Sequence, residues 1–387
     1  MAKHRVRLHQ RLSVATGIGL LILHLAANAA SQSIPHHARS SAQMQEAATI
    51  FLASLSASQR ETTVHTLGTD ARATWSNLPT LMAEPIGLLL ADMTDEQRLA
   101  THNLLRASLS SQGYAKAAGI MLLDDVLRRE AKQQLDSDPA SRKDRFRVAM
   151  AENRSSANYA VALFGDPESE NWGWKMTGHH LAVNFTVANG RVGFTPMFLG
   201  SSPSTVTKGS MLGWMALSHE GARGMEFMQS LSAAQQKVAK IHDEAASDVF
   251  EGPGRRASLA AYEGLQTQSL NAGQKLLLRA LVTEYVRNAD FDSADAQLDL
   301  IDQAGWKNLW FSWRGPVALD GLFYYRVHGP RILIEYNRQN PNHDHSVVRD
   351  PQNDYGEDWL EHHYEEFHPS IEDAINAARL RAGAPQS

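Results

Sequence analysis

The chain has 387 residues, no cysteine, 37 Lys and Arg against 42 Asp and Glu, and 17 His. The absence of cysteine excludes disulfides, thiolate metal sites and a cysteine nucleophile. The acidic balance argues against nucleic acid or an anionic membrane surface as a partner.

In chain order, MAKHRVRLHQR is basic, LSVATGIGLLILHLAA is apolar, and Ala27-Asn28-Ala29 is a small-x-small cleavage signal. That layout predicts a secretory signal peptide over residues 1–29. The apolar run is shorter than the ~20 residues a membrane span needs, and His24 lies inside it. The expectation is therefore a periplasmic or secreted protein with no stable membrane insertion after cleavage. Cleavage removes Lys3, Arg5, Arg7 and Arg11, leaving 33 basic and 42 acidic residues and a net charge near −9. Residues 30–40 read as a polar leader, and 41–387 as a single domain.

Residues 41–66 carry apolar positions at helical spacing. Pro79 and Pro85 break the following stretch. Thr94 reads as an N-cap, after which Leu99, Leu104, Leu105, Leu109, Ile120, Leu123 and Leu127 recur at three- and four-residue steps, with Gly113 dividing the helix in two. This helical part ends at about residue 145. Residues 146–210 change period: NYAVALFGDP and WGWKMTGHHLAVNFTVANGRVGFTPMFLG read as strands, with Asn189-Gly190 as a hairpin turn. Helices return over 224–310. Residues 320–380 hold a second strand pair turning at Gly329-Pro330, a His- and Asp-rich loop and a final helix. No internal repeat is visible. The predicted class is α+β, with an antiparallel sheet built from hairpins and flanked by helical blocks.

The chemistry-bearing residues concentrate near the C-terminus, where six of the 17 histidines follow residue 327. His343 and His345 lie two apart in an extended loop, so their side chains project to one side with backbones ~7 Å apart. Two imidazoles so placed can converge on one ion at ~2.0–2.1 Å. Glu335 stands in the apolar stretch ILIEY, where a carboxylate is costly unless it is coordinated or paired; Arg326 and Arg331 are the alternative partners. Asp350 offers a further carboxylate. In HHLAVNFTV the alternation puts His179 with the apolar set, as a core histidine, and His180 with Asn184 on the polar face. The expected metal ligands are thus His180, Glu335, His343, His345 and Asp350, around a divalent ion such as zinc, iron or copper with positions left open. Arg349 suits bidentate pairing with an anionic substrate group, and Asp354 joins it as a catalytic candidate. His328, and the helical pair His362 and Glu366, are lesser candidates, the latter reading as an exposed i,i+4 pair. No G-x-S-x-G, P-loop or dinucleotide fingerprint occurs. The tryptophans of NWGWKM and NLWFSWRGP read as core or hairpin residues.

WGWKMTGHHLAVNFTV, TPMFLGSSP and YYRVHGPRILIEYNRQNPNHDHSVVRDPQNDYG together resemble the bacterial and fungal family DUF3500, from about Gln45 to the last helix. The resemblance implies that His179, His180, Glu335, His343, His345, Arg349, Asp350 and Asp354 belong to a shared pattern, and it implies no reaction. The leading functional expectation is a metal-dependent enzyme, a hydrolase first, acting on a small molecule. The alternatives are a non-catalytic metal- or small-ligand-binding periplasmic protein, an iron or copper oxidoreductase, and a metal-free histidine network.

Overall fold

The computed structural model of the chain describes residues 36–138 and 140–361. The expected signal peptide, the start of the leader, His362, Glu366 and most of the final helix lie outside the described residues. Among the described residues no helix is long and apolar enough to cross a membrane.

The described residues begin with α1 (His36–Ala53) and α2 (Ala57–Thr63), then β1 (Val64–His65) and β2 (Leu88–Leu89), then α3 (Asp95–Ser108), α4 (Ser111–Ser137) and α5 (Arg145–Asn153). An antiparallel series follows: β3 (Ala160–Phe164), β4 (Asn171–Gly178), β5 (Leu181–Ala188), β6 (Arg191–Gly193) and β7 (Met197–Ser201). The pattern then recurs as α6 (Ser218–Ser230), α7 (Ala233–Ala239), β8 (Lys240–His242), β9 (Leu265–Gln266), α8 (Ala272–Val286) and α9 (Phe291–Ala304). It closes with β10 (Trp310–Arg314), β11 (Tyr324–Gly329), β12 (Ile332–Asn340) and β13 (His343–Arg349). Thr94 is the N-cap expected for α3, with a full capping box to Gln97. The helix breaks at Leu109 and Ser110, not at Gly113, which lies in the first turn of α4.

The strands form one mixed, mostly antiparallel sheet in the order β1-β3-β4-β5-β7-β13-β12-β11-β10-β8, with β2, β6 and β9 pairing β3, β5 and β10. Among the described residues only the short edge pairs β1–β3 and β8–β10 are parallel. The order reads alike from both ends and meets at the antiparallel β7–β13 pair. The molecule is an internal repeat that the sequence does not display.

Details of local chemistry support the repeat. Ser56 and Ser232 each open a short helix with a capping box, on Gln59 and Gln235. Gln97 Nε2 then donates to Gln59 Oε1 and to the Ser54 carbonyl, as Gln274 Nε2 does to Gln235 Oε1 and the Ser230 carbonyl. Gly87 and Gly264 share positive φ, 112° and 93°, and a Cβ on either would fall 2.2 Å from the carbonyl oxygen of Val161 or Phe311. Little beyond Ser-Leu-Ser-Ala at 54–57 and 230–233 survives of the repeat in residue identity, because backbone hydrogen bonding and apolar bulk constrain these positions more than side-chain type.

The alternation within each strand separates two layers. Leu181, Val183, Phe185, Ile332, Ile334 and Tyr336 join the large core shared with the helices, each large side chain contributing about 1.5–3 kcal/mol by burial. Ala182, Phe198 and Val347 face the other way and meet Trp75, Val249 and Tyr355 from the loops. On this second face the loops 66–87 and 243–264 cover polar side chains, and here the candidate site lies. Trp172, Trp174 and Trp313 are buried.

Candidate metal centre

His179 and His180 are not part of a strand. They form the two-residue turn between β4 and β5, where Gly178 pairs with Leu181. His180 takes a left-handed backbone, φ 62°, a region that few non-glycine residues occupy. Its N–H donates to the Asn77 carbonyl at 3.1 Å, and its carbonyl accepts from Gly200 N at 2.8 Å. This turn takes the His180 ring out of the strand alternation. Gly200 lies opposite His345 in the β7–β13 pair, and a Cβ there would stand 3.0 Å from the His180 ring. The missing side chain is the space that the ring occupies.

The expected loop around His343 is strand β13, hydrogen-bonded to β12 on one side and β7 on the other. Alternation still puts His343 and His345 on one face. His343 Nε2 stands 2.9 Å from His180 Nε2 and 2.9 Å from His345 Nε2. Candidate ligand atoms of the three residues all lie within 4.8 Å of one another. Two nitrogens bound at right angles to one ion at ~2.0–2.1 Å are themselves ~2.9 Å apart, so the spacing suits a metal. A single imidazole nitrogen carries one proton or one lone pair, so His343 Nε2 cannot donate to both neighbours.

Asp248, from the loop 243–264, fixes the tautomer of His345 by holding its Nδ1 at 2.7 Å. The proton belongs on that nitrogen, and Nε2 presents a lone pair. Burial alone would raise the Asp248 carboxyl. The hydrogen bond and charge of His345, the Val249 N–H and Arg255 bring it below the usual carboxylate range. Burial, then His179, His345 and His343, hold His180 well below the ordinary histidine value. Burial and then His345 bring His343 down to about 4. The effects on His180 and His343 favour neutral imidazoles, the form that binds metal.

A second pair adjoins the cluster. His179 stacks on His180 with ring centroids 3.8 Å apart. Its Nδ1 lies 2.6 Å from Asp124 Oδ1, while Tyr159 Oη donates to Asp124 Oδ2 and to the His179 carbonyl. His179 is therefore a buried histidine whose ring is satisfied and oriented by a carboxylate. It lines a narrow cleft with Pro79, Thr80, Asp124, Asn153, Arg154 and Asn158.

The expected carboxylates do not join the three histidines. Glu335 is fully buried and accepts from Phe250 N at 2.7 Å, Glu251 N at 2.8 Å and Tyr324 Oη at 2.7 Å. It anchors the loop 243–264, and burial still raises its carboxyl. Asp350 accepts from Arg331, Gln297 and the Gln352 N–H. Arg349 and Asp354, expected to meet substrate, pair with each other at 2.6 Å in the interior, and Arg349 Nε also donates to the Glu251 carbonyl. His328 packs edge-on against Tyr262, which stacks on Trp310.

Sequence reading missed Asp124, Asp248 and Arg154. Asp124 did carry a signal, since it falls one turn after Ile120 on the buried face of α4. Asp248 and Arg154 lie in irregular segments with no periodicity to mark them.

The family model described as protein of unknown function, DUF3500, matches residues 37–357, a span that holds all of these side chains. The chain belongs to DUF3500. No curated protein and no solved structure matches this DUF3500 chain.

Proposed function

We propose that the chain is a metal-dependent enzyme in which Nε2 of His180, His343 and His345 hold one divalent ion, and that its reaction is hydrolysis. The convergence of the three nitrogens carries this reading. Zinc, iron and copper all accept imidazole. Hydrolysis is favoured because a carboxylate-oriented histidine adjoins the cluster and no redox partner is needed. When bound, the ion acidifies water and polarises a substrate oxygen. Asp248 keeps the His345 ring in place. His179, with Nδ1 on Asp124, has Nε2 free to take the proton from the attacking water and to return it to the leaving group. The water oxygen adds to the substrate's acyl or phosphoryl centre as the bond to the leaving group breaks. The basic, apolar and small-residue pattern of residues 1–29 supports export.

The test is elemental mass spectrometry on protein purified without a metal-affinity tag, beside the His343→Ala/His345→Ala variant. Hydrolysis of p-nitrophenyl acetate and p-nitrophenyl phosphate is followed in parallel. Near-stoichiometric metal, lost in the folded variant together with hydrolysis of one probe, is expected. Two folded proteins without metal overturn the metal reading. Metal without metal-dependent hydrolysis overturns the hydrolytic one.

A further inference from the structure

Arg154 follows α5 and lines the cleft that His179 and Asp124 also line. Among the described residues its guanidinium makes no hydrogen bond and no ion pair. Arg331 meets Asp350, Arg338 meets Asp344 and Arg349 meets Asp354, whereas Arg154, like the half-buried Arg314, has no such partner. Asp124, the nearest acid on the cleft wall, already serves His179 Nδ1 and Tyr159 Oη with its two oxygens. The other polar groups of the cleft are bonded among themselves, with Thr80 Oγ1 and Leu81 N on Asn153 Oδ1 and Asn158 on the Asn153 carbonyl. Burial disfavours the Arg154 charge, which Asp124 and Tyr159 only partly offset. His179, on the same cleft, stacks on His180, so the cleft adjoins the histidine cluster.

A half-buried guanidinium without a protein partner keeps its donors available, and a planar fork of donors matches an oxyanion. We propose that Arg154 is the anion anchor of this site, holding a carboxylate or phosphate group of the ligand while the ligand's reacting group faces His180, His343 and His345. The proposal rests on the metal-centre reading for the second half of that statement, and on Arg154 alone for the first. It makes the ligand an anionic small molecule. It moves the anion-binding role from Arg349, whose donors are occupied in the interior, to the one cleft arginine whose donors are free among the described residues.

The experiment is calorimetric titration of the full protein with acetate and, separately, inorganic phosphate. Wild type, Arg154→Gln and Arg154→Lys are compared, with metal content and melting temperature measured on each. Binding of one anion that weakens about tenfold or more in Arg154→Gln, with partial recovery in Arg154→Lys and unchanged metal content and melting, supports the proposal. Which anion binds decides between a carboxylate and a phosphate ligand. Equal affinity in wild type and Arg154→Gln, or no binding of either anion to wild type, overturns it. Arg154-dependent binding in a protein that holds no metal sustains the anchor and sinks the metal centre, so the two ideas fail separately.

Discussion

His180 Nε2 and His343 Nε2 stand 2.9 Å apart although 163 positions separate them in the chain. One sits on a turn in the first repeat and the other on the last strand of the second. The β7–β13 seam between the repeats brings them together. Each repeat has a counterpart to the β4–β5 turn, but in the second it reads Pro330-Arg331, without an imidazole. The duplication therefore supplies a frame, and the histidines occupy one end of it only.

Asp248 is expected to control metal affinity without touching the ion. Its carboxylate holds His345 Nδ1 at 2.7 Å, and loss of such a partner weakens binding ~10–100-fold. Asp248→Asn should bind metal that much more weakly in competition with a chromogenic chelator while its melting without metal changes little. Equal affinity in the two proteins would count against ligation by His345.

Glu335→Gln separates support from ligation. The carboxylate accepts two backbone N–H groups and one phenol, and a carboxamide turns its own N–H₂ toward one of these donors. The variant should lose about 1–3 kcal/mol of stability in denaturant melts. Its metal content should match wild type. A metal-free but stable Glu335→Gln protein would return Glu335 to the ligand set.

Much of this site was legible, for physical reasons. His343-x-His345 lies on a regular strand, where alternation fixes direction whether the segment is read as strand or loop. Asn189-Gly190 forms the predicted hairpin turn, with φ of 50° and 75°. His179 is buried and satisfied by a hydrogen bond, as expected, but the two-residue turn removes both histidines from the alternation on which that expectation rested. Glu335 was rightly marked as a buried acid in need of partners, but those partners are backbone amides of a loop 84 and 85 positions upstream, which residue type does not disclose. Tertiary pairing of irregular segments likewise hid Asp248 and Arg154.

Acid sensitivity should trace in part to His328. Burial, then Arg326, bring its value down to about 4, and its Nδ1 is buried without a partner. The unfolded chain binds a proton near pH 6.5, the folded one only near 4, so this contribution is fully present above 6.5 and is lost as pH falls toward 4. Between pH 6.5 and 5 wild type should lose about 1–2 kcal/mol from this group, and His328→Phe should lose correspondingly less. Parallel pH curves for the two proteins would show that His328 does not titrate as described.

The repeat makes a prediction about stability. Gln97 and Gln274 each accept the backbone N–H of their own N-cap and each donate to a glutamine and a carbonyl of the preceding helical segment. Both are largely buried, at 5% exposure each. Gln97→Ala and Gln274→Ala should therefore cost similar amounts, about 1–3 kcal/mol apiece, since truncation leaves the same buried groups without partners. The two sites share no residue, so the double variant should lose close to the sum. Denaturant melts of the three proteins check this. Equal single costs that add support two equivalent locks in one cooperative fold. A large cost at one site with none at the other would show that the halves, alike in topology, no longer depend on the same contacts.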